Sequence, residues 1–119
     1  MTLKLINNLQ KLGFTENEAK IYASLVCLKE GTAREIYEAS GVPRPKVYKV
    51  LRGMAEKGYV QIIEGEPTHF VCLRPDKLIS RIRADFMLSL NETFYGLNAL
   101  SLEKEVPDFE NPAEIELSC

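Results

Sequence analysis

Residues 31–58 read GTAREIYEASGVPRPKVYKVLRGMAEKG, and this stretch decides the fold. Thr32 to Glu35 spells T-x-x-E: the Thr hydroxyl accepts a backbone N–H while the Glu carboxylate reaches back to the Thr N–H, so a helix starts here. It is short, because Ala33, Ile36, Tyr37 and Ala39 lead only to Ser40 and a stop at Gly41. A further helix begins after Val42 and Pro43, with Pro45 in its first turn, where no intrahelical donor is needed. Val47, Val50, Leu51 and Met54 form its apolar face, and Gly58 closes it. Two helices joined by a tight turn containing Gly make a helix-turn-helix. The second must bury one face, which leaves Arg44, Pro45, Lys46, Tyr48, Lys49, Arg52, Gly53, Glu56 and Lys57 outside. From Arg44 to Lys57 there are five basic residues and one acid.

Working outward, Leu3 to Leu12 reads as a helix with Leu5, Ile6, Leu9 and Leu12 on one stripe, stopped at Gly13. A first T-x-x-E, Thr15 to Glu18, opens a helix through Ala19, Tyr22, Leu25, Val26 and Lys29, with Gly31 as its stop. Downstream the period changes. Tyr59 to Glu64 and Thr68 to Leu73 are rich in β-branched and aromatic residues, and Gly65, Glu66 and Pro67 form a turn between them, so a hairpin follows. Pro75-Asp76 then opens a long helix on which Ile79, Ile82, Phe86, Leu90, Phe94 and Leu97 recur at steps of three or four. Gly96 and Asn98 weaken its far end. The final stretch, EVPDFENPAEIELSC, is acidic and contains two prolines, so it reads as a loop or tail.

The expected architecture is α+β, mainly α: a winged helix-turn-helix over 1–75, a C-terminal dimerisation helix over 76–104 and an acidic tail over 105–119. The helix stripe Ile79, Ile82, Phe86, Leu90, Phe94 and Leu97 is longer than a domain of this size can cover, which makes it the candidate homodimer interface.

Charge supports a nucleic-acid partner despite a formal net charge of -2. Residues 1–90 carry 14 Lys and Arg against 10 Asp and Glu, whereas residues 91–119 carry 1 against 7. The basic surplus is concentrated on the helix after Pro43. Arg44 and Lys46 at its start suit base edges, and basic residues further along, Lys49 and Arg52, suit phosphates. Tyr48 can stack on a sugar or touch a thymine methyl. With Thr32, Pro45 and His69 these residues form the candidate double-stranded-DNA contact set.

Other chemistries find no footing. Three cysteines, Cys27, Cys72 and Cys119, lie 45 and 47 residues apart, which matches no metal or redox motif, and there is one histidine, His69. No metal or cofactor is expected. Glu16 and Glu18 could imitate a catalytic pair, but capping explains them, so no enzyme activity is expected. No apolar run approaches the roughly 20 residues of a membrane span, and the N-terminus has no signal core, so a cytoplasmic location is expected. The pattern names no small-molecule effector. The alternative reading is a winged helix used for protein contact within a transcription complex.

The runs LGFTENEAKIY (12–22), SGVPRPKVYKVL (40–51) and EKGYV (56–60) resemble the N-terminal domain of the TrmB family, mainly archaeal winged-helix regulators with bacterial relatives. The resemblance covers residues 3 to about 77. It implies sequence-specific DNA binding, homodimers and control of transcription, and in several members a response to sugars through a large C-terminal domain. About 40 residues follow the wing here, so that sugar-binding domain is not expected in this chain. Two other departures stand out. The wing tip carries Glu64 and Glu66 where relatives often have Lys or Arg, and Pro45 stands where a small hydroxyl residue is common.

Overall fold

A computed structural model of the chain describes residues 2–104 and Pro107; Met1 and the rest of the acidic tail, with Cys119, lie outside the described residues. The elements are α1 (Leu3–Lys11), α2 (Glu16–Leu28), β1 (Glu30–Gly31), α3 (Ala33–Ser40), α4 (Arg44–Glu56), β2 (Val60–Ile63), β3 (His69–Cys72) and α5 (Pro75–Glu103). Two compact units result, Met1–Arg83 and Ala84–Cys119.

Both expected capping boxes form. Thr15 Oγ1 accepts the Glu18 N–H at 3.1 Å and Glu18 Oε1 accepts the Thr15 N–H at 2.8 Å; Thr32 and Glu35 repeat the arrangement at 3.2 and 2.9 Å. Between them α2 is the central helix, burying Ala19, Ile21, Tyr22, Ala23, Ser24 and Leu25. It stops sooner than the sequence suggests. Lys29 takes φ +73° and caps the helix, and Glu30–Gly31 is a strand rather than the helix end. That strand pairs with β3 through Glu30↔Val71 and Gly31↔Phe70, so the expected hairpin is a three-stranded antiparallel sheet of order β1-β3-β2.

The core is continuous. Phe70 on the middle strand, Ile36 of α3, Val47, Leu51 and Met54 of α4, Val42 between them and Leu78 of α5 are all essentially inaccessible and pack with the α2 face. α1 contributes only Ile6 and Leu9; Leu5 and Leu12, on the expected stripe, are exposed. Phe14 stacks on Tyr59 at 5.3 Å and meets Tyr22 edge-on, and the buried Tyr22 hydroxyl donates to the Leu73 carbonyl at 2.6 Å. This bond satisfies a phenol whose ionisation burial opposes.

In the second unit, α5 continues to Glu103, past Gly96 and Asn98. Phe86, Leu90, Phe94 and Leu97 are exposed there, as are Leu88, Tyr95 and Leu102. Ile79 and Ile82 belong to the first unit. Ile82 is half-buried against the core, and Ile79 is exposed at the rim of an apolar groove of about 200 Å³ with Leu5, Leu9 and Val26. Among the described residues no helix is long and apolar enough to cross a membrane.

Glu18 yields a pH prediction. Burial opposes its ionisation, but the Thr15 backbone and hydroxyl bonds and Lys57 together outweigh burial and hold the carboxyl below the usual range. A carboxyl favoured as the anion in the folded state contributes stability above its ordinary pKa and loses it as pH falls through the folded value. Glu18→Gln should therefore cost about 1 kcal/mol at neutral pH. It should also flatten the fall in melting temperature between about pH 5 and pH 3. Thermal melts of both proteins across that range check it; parallel curves would rule it out.

Candidate nucleic-acid interface

α4 owes its outward face to its inward one. Val47, Leu51 and Met54 are fully buried and Val50 half-buried, so the helix is pinned along one side. Residues rotated away from that side are exposed: Arg44, Pro45, Lys46, Tyr48, Lys49 and Arg52. At 3.6 residues per turn Arg44, Tyr48 and Arg52 form one row and Pro45 and Lys49 the next. Pro45 is in the first turn, as expected, and Pro43 caps without a side-chain hydrogen bond.

Electrostatically this face is basic and uncompensated. Among the described residues no carboxylate lies within ion-pair distance of Arg44, Lys46, Lys49 or Arg52. Lys57, which the sequence grouped with them, is different. Its Nζ binds Glu18 Oε2 at 3.0 Å, 39 positions away in sequence, and holds the end of α4 against the start of α2.

The start of α4 faces two other elements across a cleft of about 310 Å³, lined by Thr32, Arg34, Arg44, Tyr48, Pro67 and Thr68. The N-terminus of α3, the start of α4 and the wing tip thus converge on one concavity. Tyr48 is 48% exposed and sits edge-on to Phe70, with ring centres 5.9 Å apart. The Thr32 hydroxyl accepts the Glu35 N–H at 3.2 Å in its capping box, which occupies one of its two lone pairs. His69 is half-buried on β3, opposite Ile63, and is not among the cleft residues.

Arg34 and Thr68 were not singled out by the sequence. Arg34 sits in the first turn of α3, the positive end of the helix dipole, where a cation is disfavoured unless an anion is near. Its Nε bonds Glu38 at 3.1 Å on an exposed face. The signal was present, an Arg two positions after a helix cap, but one such residue carries little weight until the cleft is seen. Thr68 donates to the Gly65 carbonyl at 3.3 Å, which ties the wing tip together.

Among the described residues no group of three His, Cys, Asp or Glu side chains could hold a metal ion. Cys27 is exposed and Cys72 half-buried, and burial raises the Cys72 thiol pKa.

Comparison with known proteins bears on the fold and the family. The solved structure of TrmBL2, described as an archaeal chromatin protein, superposes with a TM-score of 0.73 at 24% identity, covering 91% of this chain and 47% of that one. Wild-type MarR from E. coli superposes with a TM-score of 0.54 at 19% identity, covering 87% of each. Both are likenesses of fold, and with the three-stranded sheet they make the chain an α+β, mainly α, winged helix. In sequence, the HTH-type sugar sensing transcriptional regulator TrmBL1 of Pyrococcus furiosus is 32% identical over 108 residues, 88% of this chain and 32% of that protein. YrhO of Bacillus subtilis is 30% identical over 113 residues, 93% of this chain and 40% of that protein. The chain thus spans well under half the length of these relatives. Residues 9–76, more than half of the chain, match the family described as "Sugar-specific transcriptional regulator TrmB". The family is one of transcriptional regulators rather than enzymes, and the chain belongs to it.

Proposed function

We propose that the chain is a sequence-specific, double-stranded-DNA-binding regulator of transcription that acts as a homodimer in the cytoplasm, with α4 in the major groove. The observation that carries this reading is the outward face of α4. Four exposed cations stand on one rigid helix, none ion-paired among the described residues. Keeping four like charges together opposes folding slightly, and a polyanion relieves that repulsion. We assign DNA contact to Thr32, Arg44, Pro45, Lys46, Tyr48, Lys49, Arg52 and His69, with Arg34 added from the cleft. Glu64 and Glu66 at the wing tip are repelled by phosphate, so the wing braces rather than reads.

The division of labour follows the chain: 1–75 binds DNA, 76–104 pairs two subunits, and 105–119 is an acidic appendage. The dimer reading rests on the exposed members of the Ile79–Leu97 row, Ile79, Phe86, Leu90, Phe94 and Leu97, with Ile82 half-buried against its own core, because an exposed apolar helix face of that length in water needs a neighbour. Two subunits then present two copies of α4 to major grooves about one helical turn, roughly 34–36 Å, apart.

The test is selection of bound duplexes from a random pool, followed by titration at several salt concentrations. The expected site is a palindrome, and log affinity should fall linearly with log salt. A protein that recovers no preferred duplex sinks the reading; one that recovers a single unrepeated half-site sinks the dimer part.

Thiol chemistry should not matter to this binding. A thiol with a raised pKa is mostly protonated and unreactive near neutrality, which describes Cys72. Affinity for the recovered duplex is expected to be equal with and without reductant. A large, reversible loss under mild oxidant would show that a cysteine controls binding.

A further inference from the structure

From Ala84 to Glu103 α5 runs uninterrupted and wholly within the second unit, so the faces of this stretch are set by its own periodicity. It carries two apolar faces. Phe86, Leu90, Phe94 and Leu97 form the first. Ala84, Leu88, Tyr95, Ala99 and Leu102 form the second, centred about 150° around the helix axis from the first. Tyr95 is 70% exposed and Leu102 85%, more open than Phe86 at 62%. Asn91 and Asn98 divide the faces on one side. On the other side the second face has an acidic edge. Asp85 and Glu92 lie three and four residues from Leu88, Glu92 lies three from Tyr95, and Glu103 lies four from Ala99. Such spacings make helix-surface neighbours, so the three carboxylates line that edge. Among the described residues none of the three is ion-paired, and residues 84–103 contain no Lys or Arg. The first face is bordered by uncharged Ser89 and Asn98 instead.

We propose that the Leu88–Tyr95–Leu102 face of α5 docks a basic amphipathic helix of a different protein, whose apolar side chains cover the face and whose Lys or Arg residues meet the carboxylate edge. The inference goes beyond the homodimer reading above, which takes only the first face. A helix packed on one face covers an arc of about 100°, so a partner on the Phe86 face leaves the opposite one in water. An exposed apolar strip of this length marks an interaction surface. The charges beside such a strip choose the partner and its orientation. A further copy of the chain fits the edge poorly. Two identical helices packed antiparallel through this face set carboxylate row against carboxylate row. Packed parallel, they set that row against Asn91 and Asn98. In neither arrangement does the same stretch offer a cation, whereas a helix edged with Lys or Arg supplies one at each carboxylate.

The experiment uses the full chain and a synthetic helical peptide of about 20 residues, the length of the 84–103 stretch, with leucine on one face and lysine along its edges. A control peptide has glutamate at the lysine positions. The chain should bind the lysine peptide about tenfold more tightly than the glutamate one, and the difference should shrink as salt is raised. Leu88→Gln combined with Tyr95→Gln changes exposed positions to a good helix former. It should weaken lysine-peptide binding about tenfold while leaving the melting temperature and the sedimenting mass as in wild type. Glu92→Gln should weaken it about twofold. Equal binding of the two peptides overturns the inference. So does lysine-peptide binding that the double variant keeps in full, since the peptide then sits elsewhere on the chain. A wild-type protein larger than a dimer, reduced to a dimer by the double variant, also overturns it, because further copies then cover the face. A wild-type monomer that shows the expected peptide pattern supports the docking face and sinks the homodimer reading alone.

Discussion

Phe86→Glu is expected to convert the protein to monomers. Phe86 is 62% exposed in the single chain, so a carboxylate there costs the monomer little. In a pair of α5 helices the same position lies in the seam with Leu90, Phe94 and Leu97, and a charge buried there without a partner is strongly unfavourable. The penalty is roughly 3–5 kcal/mol, a factor of about 10² to 10³ or more in the dimer constant. Sedimentation at micromolar concentration reads it directly. The variant should also lose most of its advantage on a palindromic duplex over a single half-site, because two α4 helices are no longer tethered. A wild-type protein already monomeric at micromolar concentration would show that the stripe has another purpose.

Arg44→Ala is expected to lose roughly 1–3 kcal/mol on the preferred duplex and to blur its sequence preference. The reason is position. Arg44 is the first residue of α4 and lines the cleft under the wing tip, and the first turn of a recognition helix reaches base edges. Arg52 is two turns on in the same row, and in the proposed docking it faces the DNA backbone. Arg52→Ala should weaken preferred and scrambled duplexes alike and flatten the salt dependence by about one phosphate. The two variants thus separate reading from attraction in a single titration series. If they behave identically, α4 does not read bases in this orientation. If neither changes binding while wing substitutions do, the hairpin is the reader.

Much of this geometry was legible in the sequence because it is written locally. Each capping box marks a helix start with two residues that bond each other, and Val47, Leu51 and Met54 fix the inner face of α4 by spacing alone. What stayed hidden depends on distant partners. β1 is two residues long and has no period; it is a strand only because Val71 and Phe70 lie beside it. The Lys57–Glu18 pair joins positions that nothing in the local pattern connects. The Arg81 bonds to the Lys57 and Gly58 carbonyls likewise join positions more than 20 residues apart. The far end of α5 was underrated for a different reason. A single exposed Gly costs a helix only about 1 kcal/mol, which the good helix formers around Gly96 offset.

β1 also bears on how this architecture can change. Because Glu30–Gly31 pairs with the side of β3 away from β2, β3 is paired along both its edges at the base of the wing, next to Thr32 at the start of α3. Among the described residues, the tip, residues 64–68, has no hydrogen bond beyond its own Thr68–Gly65 bond. Added residues are tolerated where no paired backbone has to move. Insertions confined to 64–68 would therefore lengthen the wing's reach along the duplex while leaving the α3–α4 platform undisturbed. Wing length and the bases recognised can then drift independently, one by gain and loss of residues, the other by substitution on α4.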